Sequence, residues 1–220
     1  MTTVMSAVKP STVTGPTRRE RARATRFRIT KAAYTLFCER GYAGVTMTDI
    51  AEAAGVAVQT VYFVFHTKSE LLSRTSDFAV MGEGDPIPPQ EQVWYARMIG
   101  EPDIIEALRR TTEGVGAILV RVTPLDTVVR AGAASDPDTA RVRALHEELR
   151  AQGYRAVLEV LLQKSALRDG MLPERATDLL LLYLGMEVYR ALVHDLGWTH
   201  DDWVDWTVST VAQQVFARAG

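Results

Sequence analysis

The sequence predicts an all-α protein: a small N-terminal three-helix helix-turn-helix domain followed by a larger helical domain. Three observations carry this. Boxes of the form T-x-x-E or T-x-x-D recur at Thr17–Glu20, Thr46–Asp49, Thr67–Glu70 and Thr199–Asp202, where side chains satisfy the free backbone N–H groups that open a helix. Apolar residues recur at helical rather than alternating spacing, as in Ile29, Ala33, Leu36 and Phe37. The one strand-like run, "TVYFVF" at 60–65, sits between helices with no partner strand nearby to pair its backbone.

Composition sets the class. The 220 residues suit one domain or two small ones sharing a core, and 47% apolar with 24% charged residues is an ordinary globular balance. No apolar run approaches the ~18 residues of a membrane span, and "MTTVMSAVKPSTVTGPT" lacks the apolar core of a secretion signal. The single cysteine, Cys38, excludes an internal disulfide and fits a reducing cytoplasm; within a helix it reads as a buried, inert thiol. Charge is unevenly distributed. Residues 1–74 carry 11 Lys/Arg against 5 Asp/Glu, and the remainder carries 14 against 22. A basic third on an acidic body suggests that the first part meets a polyanion, the alternative being a solvated basic helix face that charge alone does not exclude; no membrane partner is expected.

In chain order, residues 1–16 read as a flexible arm, Ser/Thr/Val/Pro-rich and almost uncharged. Thr17 opens a helix with an apolar stripe on one face and Arg18, Arg19, Arg21, Arg23, Arg26, Arg28 and Lys31 on the other. "RGYAG" ends it, with Gly41 suited to a left-handed C-cap. "TMTDIAEAAG" is a short second helix capped by Thr46, packed through Ile50, Ala51 and Ala54, and stopped by Gly55. Residues 58–64 fit one or two further turns. Thr67 starts the next helix, running through about Val80, and "MGEGDPIPP" is a loop. Helices are expected over 90–99, 103–122, 124–133, 137–168, 173–196 and 200–218. Asp136-Pro137 supplies a cap followed by proline at the first helical position. These elements divide as an arm (1–16), a helix-turn-helix domain (17–66) and a helical body (67–220).

A helix, a tight Gly-Val turn and a second short helix make a helix-turn-helix, whose second helix presents its first turn to base edges in the major groove. The stretch is more specific than that. Ile29, Ala32, Ala33, Leu36, Phe37, Gly41, Tyr42, Thr46, Ile50, Ala51, Ala54, Gly55, Val56, Thr60, Tyr62, Phe65, Lys68 and Leu71 stand at the positions of a known pattern. Over residues 26–72 the sequence resembles the DNA-binding domain of the TetR (tetracycline repressor) family of bacterial transcription regulators. Two departures stand out: Ala57 where that family often has a Ser or Thr cap, and Thr30 where a large aliphatic is common. Loss of the cap costs on the order of 1 kcal/mol.

The resemblance implies a role for each residue it matches. Thr60, Tyr62 and Lys68 would contact phosphate, with Thr46 and Thr48 as further contacts and His66 at the rim. Val58 and Gln59 would read bases, Gln59 by a bidentate pair with adenine and Val58 against a thymine methyl. Phe65 belongs to the core, and Phe63 is expected to be partly buried. The resemblance also implies a homodimer through the last two apolar helices, at Leu180, Tyr183, Leu184, Trp203, Trp206, Val211 and Val215; the alternative is that these residues are the core of a monomer. It implies a small-molecule pocket among the middle helices, with an unknown, largely apolar effector. Trp94, Met98, Tyr154, Leu158 and Met186 are the expected lining and Arg121, Glu187 and Arg190 the expected polar anchors, although Glu187 and Arg190 also fit an intrahelical ion pair.

Catalysis has little footing in this sequence. "GVGA" at 114–117 lacks a third glycine and a preceding strand, and no P-loop, G-x-S-x-G, H-E-x-x-H or paired cysteines occur. His194, His200, Asp201 and Asp202 cluster, but carboxylates in the first turn of a helix are explained by capping and the helix dipole. The function expected is therefore that of a non-enzymatic regulator without cofactor or metal: a homodimeric repressor released from a palindromic operator by a small molecule. An activator or ligand-independent regulator on the same fold remains open. So does a helical enzyme or carrier with a vestigial DNA-binding domain.

Overall fold

The computed structural model describes residues 17–82 and 87–217; the arm and the centre of the 81–89 loop lie outside them. Among the described residues the regular secondary structure is all helical, with one isolated antiparallel bridge between Leu167 and Phe216. The helices are α1 (Arg18–Arg40), α2 (Met47–Ala54), α3 (Val58–Phe65), α4 (Lys68–Met81), α5 (Val93–Gly100), α6 (Ile104–Ala133), α7 (Pro137–Leu162), α8 (Pro173–Tyr183), α9 (Met186–Tyr189) and α10 (His200–Val215). A 3-10 turn, Pro89–Glu91, precedes α5, and a π-helical segment, Arg190–Asp195, follows α9.

The caps act where the sequence puts them. Full reciprocal boxes close at Thr17–Glu20, Thr46–Asp49 and Thr199–Asp202. At Thr67 only half of the box forms: its hydroxyl accepts from the Glu70 N–H at 3.0 Å and also pairs with the Ser69 hydroxyl. Asp136 caps α7 through the Asp138 and Thr139 N–H groups, with Pro137 next. Gly55 ends α2 in the left-handed region (φ 64°, ψ 42°). Gly41 has a positive φ of 71° but an extended ψ of 172°, so it turns the chain out of α1 without the left-handed helical cap expected of it.

Element boundaries differ from expectation in the body. Pro124 does not split a helix, because α6 runs through it for 30 residues; proline removes one N–H from the ladder, and burial of both flanking turns holds the helix together. The helix expected over 173–196 is broken at Leu184–Gly185. A Cβ on Gly185 would lie 2.5 Å from the Leu181 carbonyl oxygen, so only glycine allows this tight departure from α8. Helix α7 stops at Leu162 and α10 at Val215, short of 168 and 218.

Two cores form. The N-terminal core joins Ile29, Phe37, Ile50, Val61, Phe65 and Leu71 with Leu125, Val128 and Val129 from the far half of α6. The body core joins Met98, Leu108, Leu158, Leu161, Leu180, Leu184, Trp203, Val211 and Val215. Each fully buried aliphatic or aromatic side chain contributes roughly 1.5–3 kcal/mol. Helix α4 packs on α1 and α3 and also on α6 and α7, so it belongs to both halves.

Candidate functional site

The helix-turn-helix is built from α2, the Gly55-Val56 turn and α3. Val61 and Phe65 fix α3 inward, both with no exposed surface. That orientation turns Gln59, Tyr62 and Phe63 outward. Tyr62 is 51% exposed and Phe63 83% exposed, so the partial burial expected for Phe63 is not found. The reason lies in the register: in an eight-residue helix held by residues 61 and 65, position 63 falls on the far side from both. Val58 and Thr60 are half-buried, Val58 against the N-terminal core. Ala57 makes no side-chain cap to α3, leaving the first N–H groups of that helix open to an external acceptor.

The exposed hydroxyl-bearing residues Thr46 and Thr48 lie at the start of α2, beside this face. The Thr46 hydroxyl is already engaged with Asp49, donating at 2.6 Å. Helix α1 adds a largely exposed row of arginines, and Arg26 lies 5.6 Å over the Phe65 ring. His66 is exposed and ends α3 with φ 48°, a positive value that non-glycine residues seldom adopt.

Lys68 is engaged within the protein. Its ammonium donates to the Tyr42 carbonyl at 2.9 Å and to the Val45 carbonyl at 3.1 Å, and it stands 4.2 Å over the Tyr42 ring. Two of its three donors are thus committed to the α1–α2 connection. Partial burial lowers its pKa, while the Asp136 charge pulls the other way. Tyr42 in turn donates to Asp136 at 2.9 Å, which ties the helix-turn-helix to the start of α7.

In the body, a cavity of about 350 Å³ opens between α4, α5, α6 and α7. Of the residues named from the sequence, Trp94, Tyr154 and Met186 line it, together with Val115, Leu119 and Val157. The other five expected residues do not. Met98 and Leu158 are buried in the body core. Arg121 turns away to donate to the Ala79, Val80 and Ala117 carbonyls, so it braces the end of α4. Glu187 pairs with Arg130, and Arg190 pairs with Asp195 at 3.3 Å. Neither the pocket anchor nor the intrahelical Glu187–Arg190 pair forms, because Arg130 and Asp195 engage these two side chains instead. The Tyr154 hydroxyl donates to the Leu184 carbonyl at 2.6 Å, and burial pushes the phenol pKa up. The cavity's polar residues Asp126, Arg143, His146, Glu147 and Arg150 escaped the sequence reading, since α7 is charged around most of its first half and offers no signal for which charges turn inward. Gly114 shapes the wall: a Cβ there would sit 2.2 Å from the Trp94 indole, so this ring lies flat on α6 only because residue 114 is glycine.

At the other end, five of the seven expected dimer residues are interior. Leu180, Leu184, Trp203, Val211 and Val215 each expose 1% or less and pack in the monomer's own core. Only Tyr183 and Trp206 are half-exposed, and their rings meet edge-on at 5.8 Å on the outer side of α8 and α10.

Cys38 is half-buried, and burial raises its thiol pKa against the lowering effect of the Tyr34 hydroxyl. Among the described residues no cluster of three or more His, Cys, Asp or Glu is disposed to hold a metal. Among the described residues no helix is long and apolar enough to cross a membrane.

Helix α3, anchored through one face and bare on the other, defines a helix-turn-helix protein. Residues 29–75 match the family model described as "Bacterial regulatory proteins, tetR family". Over 59 residues the chain is 42% identical to the HTH-type transcriptional regulator TtgR of Pseudomonas putida; that match covers 27% of this chain and only 28% of TtgR. The fold extends further. NalD, the secondary repressor of the MexAB-OprM multidrug efflux pump in Pseudomonas aeruginosa, superposes with a TM-score of 0.67 at 18% identity, covering 90% of this chain and all of NalD. A TetR-family regulator structure from Rhodococcus sp. gives 0.67 at 16% identity, over 89% of this chain and all of the other. A regulator from Saccharomonospora viridis in complex with choline gives 0.63 at 18% identity, over 88% and 98%. Residues 29–75 thus match the tetR family of bacterial regulatory proteins, and beyond them the likeness to the solved structures is one of fold.

Proposed function

We propose that this protein is a homodimeric, sequence-specific DNA-binding repressor whose operator affinity falls when a small molecule occupies the α4–α7 cavity. The observation that carries the reading is the outward face of α3, where Gln59, Tyr62 and Phe63 stand exposed beside the open N-terminus of that helix. Gln59 and Val58 are assigned to bases. Thr46, Thr48, Thr60, Tyr62 and His66 are assigned to phosphates, with the α1 arginines supplying charge. Lys68 is assigned a structural role instead. Phe63 joins the set as an apolar contact to a thymine methyl or sugar.

The effector part of the reading rests on α4. Its first turns pack under the recognition helix, and its last turns (Ser76, Val80, Met81) line the cavity. A ligand that displaces this helix at one end shifts the DNA-binding face at the other. The solved relative with choline supports a small-molecule site on this fold. For the dimer, the assignment moves to the outer faces of α8 and α10, where Tyr183 and Trp206 adjoin the 51% exposed Leu182. A palindromic operator follows from two-fold symmetry.

Titration of the protein with DNA from its own promoter region tests this. Binding should depend on sequence and fall steeply with salt. Gln59→Ala should relax base preference, whereas Thr48→Ala should weaken all sequences alike. Affinity indifferent to sequence and salt refutes the repressor reading.

A further inference from the structure

The cavity's charges do not balance locally. Among the described residues each carboxylate that lines it already has a cation: Asp126 accepts from Arg130 at 2.6 Å and Glu147 pairs with Arg143 at 2.8 Å. His146 has its Nε2 3.1 Å from Asp77. The Tyr154 hydroxyl is committed to a backbone carbonyl. Arg150 differs. Its Nε and one Nη are buried with no hydrogen-bond partner among the described residues. The nearest carboxylate is Glu187, 3.8 Å away and also held by Arg130.

Arg150 nevertheless lines the cavity, and a charge 3.8 Å distant that is shared with Arg130 compensates it only in part. A guanidinium N–H that reaches the cavity gives a carboxylate a charge-assisted hydrogen bond. Around it the walls are apolar: Trp94, Val115, Leu119, Val122 and Val157 leave room for a single chain or a ring or two, at the small end of ligand-site volumes. A cationic ligand finds no free carboxylate here, and an uncharged one leaves Arg150 as it is.

We infer that the effector is an amphipathic monocarboxylate, its carboxylate on Arg150 and its apolar part along α5 and α6. This rests on the reading of the cavity as the effector site.

Calorimetric titration with decanoate, decanol and decyltrimethylammonium tests it. Decanoate should bind at least roughly tenfold tighter than decanol, the scale of hydrogen bonds to a charged group, and the cation should not bind. Arg150→Met should erase that margin while leaving decanol affinity in place, which also shows the variant folded. Arg150→Lys should keep most of the margin, and Val115→Trp, which fills the cavity, should abolish binding of all probes. Equal affinity for decanoate and decanol, a margin that survives Arg150→Met, preference for the cation, or no binding at all would each overturn the proposal. A separate readout isolates the underlying reading: if decanoate binds through Arg150 but leaves operator affinity unchanged, ligand-driven release fails while the carboxylate site stands.

Discussion

Replacing Lys68 with methionine separates two roles that the sequence alone merges. Met keeps the aliphatic stem but removes the ammonium. Lost are two charge-assisted hydrogen bonds, at 2.9 and 3.1 Å to the Tyr42 and Val45 carbonyls, and the ring contact at 4.2 Å. Hydrogen bonds to charged groups contribute about 1.5–3 kcal/mol each and an exposed cation–π contact about 0.5–1 kcal/mol. The site is only partly buried, so water replaces part of the loss at both carbonyls. A net destabilisation of about 2 kcal/mol follows, or roughly 4–8 °C in Tm for a chain of this size. Thermal unfolding by circular dichroism reads this directly. Operator binding, measured well below Tm, should keep the wild-type salt slope, because no phosphate contact has been removed. An unchanged Tm together with a salt slope smaller by about one would refute the structural role and restore Lys68 to the phosphate contacts.

Three other perturbations test separate parts of the structure. Gly114→Ala puts a methyl 2.2 Å from the Trp94 ring; overpacking costs about 1–3 kcal/mol against a helix-propensity gain of about 1 kcal/mol, so a net loss of up to about 2 kcal/mol is expected in chemical unfolding. Near-ultraviolet circular dichroism should report a displaced indole, and an unchanged spectrum would contradict the stacking. His66→Gly relieves the positive φ of 48° and should stabilise the fold by about 0.5–1 kcal/mol after glycine's entropy cost; a destabilised variant would mean that the conformation is unstrained. For Asp77, burial raises the carboxyl pKa, but the hydrogen bond and charge of His146 and the Arg74 charge outweigh it, so the folded value lies below the ordinary one. Its stabilising contribution is then fully present above the unfolded pKa of ~3.9 and is lost as pH falls through the folded value. Asp77→Asn should lower Tm at pH near 6, and the gap to wild type should narrow on acidification toward pH near 3; a gap independent of pH would remove the pair from the α4–α7 contact.

Much of the N-terminal half is legible in the sequence because its determinants are local. A capping box needs only residues three apart, so Thr17, Thr46 and Thr199 cap as their neighbours dictate. The Gly55 turn needs one residue able to adopt a left-handed backbone, and Val61 and Phe65 orient an eight-residue helix by their spacing alone. Residues whose role depends on what folds back over them were less legible. Phe63 reads as apolar and therefore half-buried, yet nothing packs on its side of α3. Lys68 reads as a surface cation, yet two carbonyls more than twenty residues away claim it.

The same division explains the body. Apolar periodicity marks α8 and α10 as buried helices, but period alone cannot say whether a stripe faces its own core or a partner, and Leu180, Trp203 and Val215 turn out to face inward. Nor does it distinguish Arg150 from the other arginines of α7, all of which look solvated when neighbours in sequence are the only neighbours considered. The sequence by itself determined most of the helices, their N-terminal caps and the likeness of the N-terminal domain to a known family, since these arise from interactions within a turn or two of the chain. Only the tertiary structure decided which side chains are spent inside the molecule and which remain for a partner, because burial and ion pairing depend on groups brought together from distant segments.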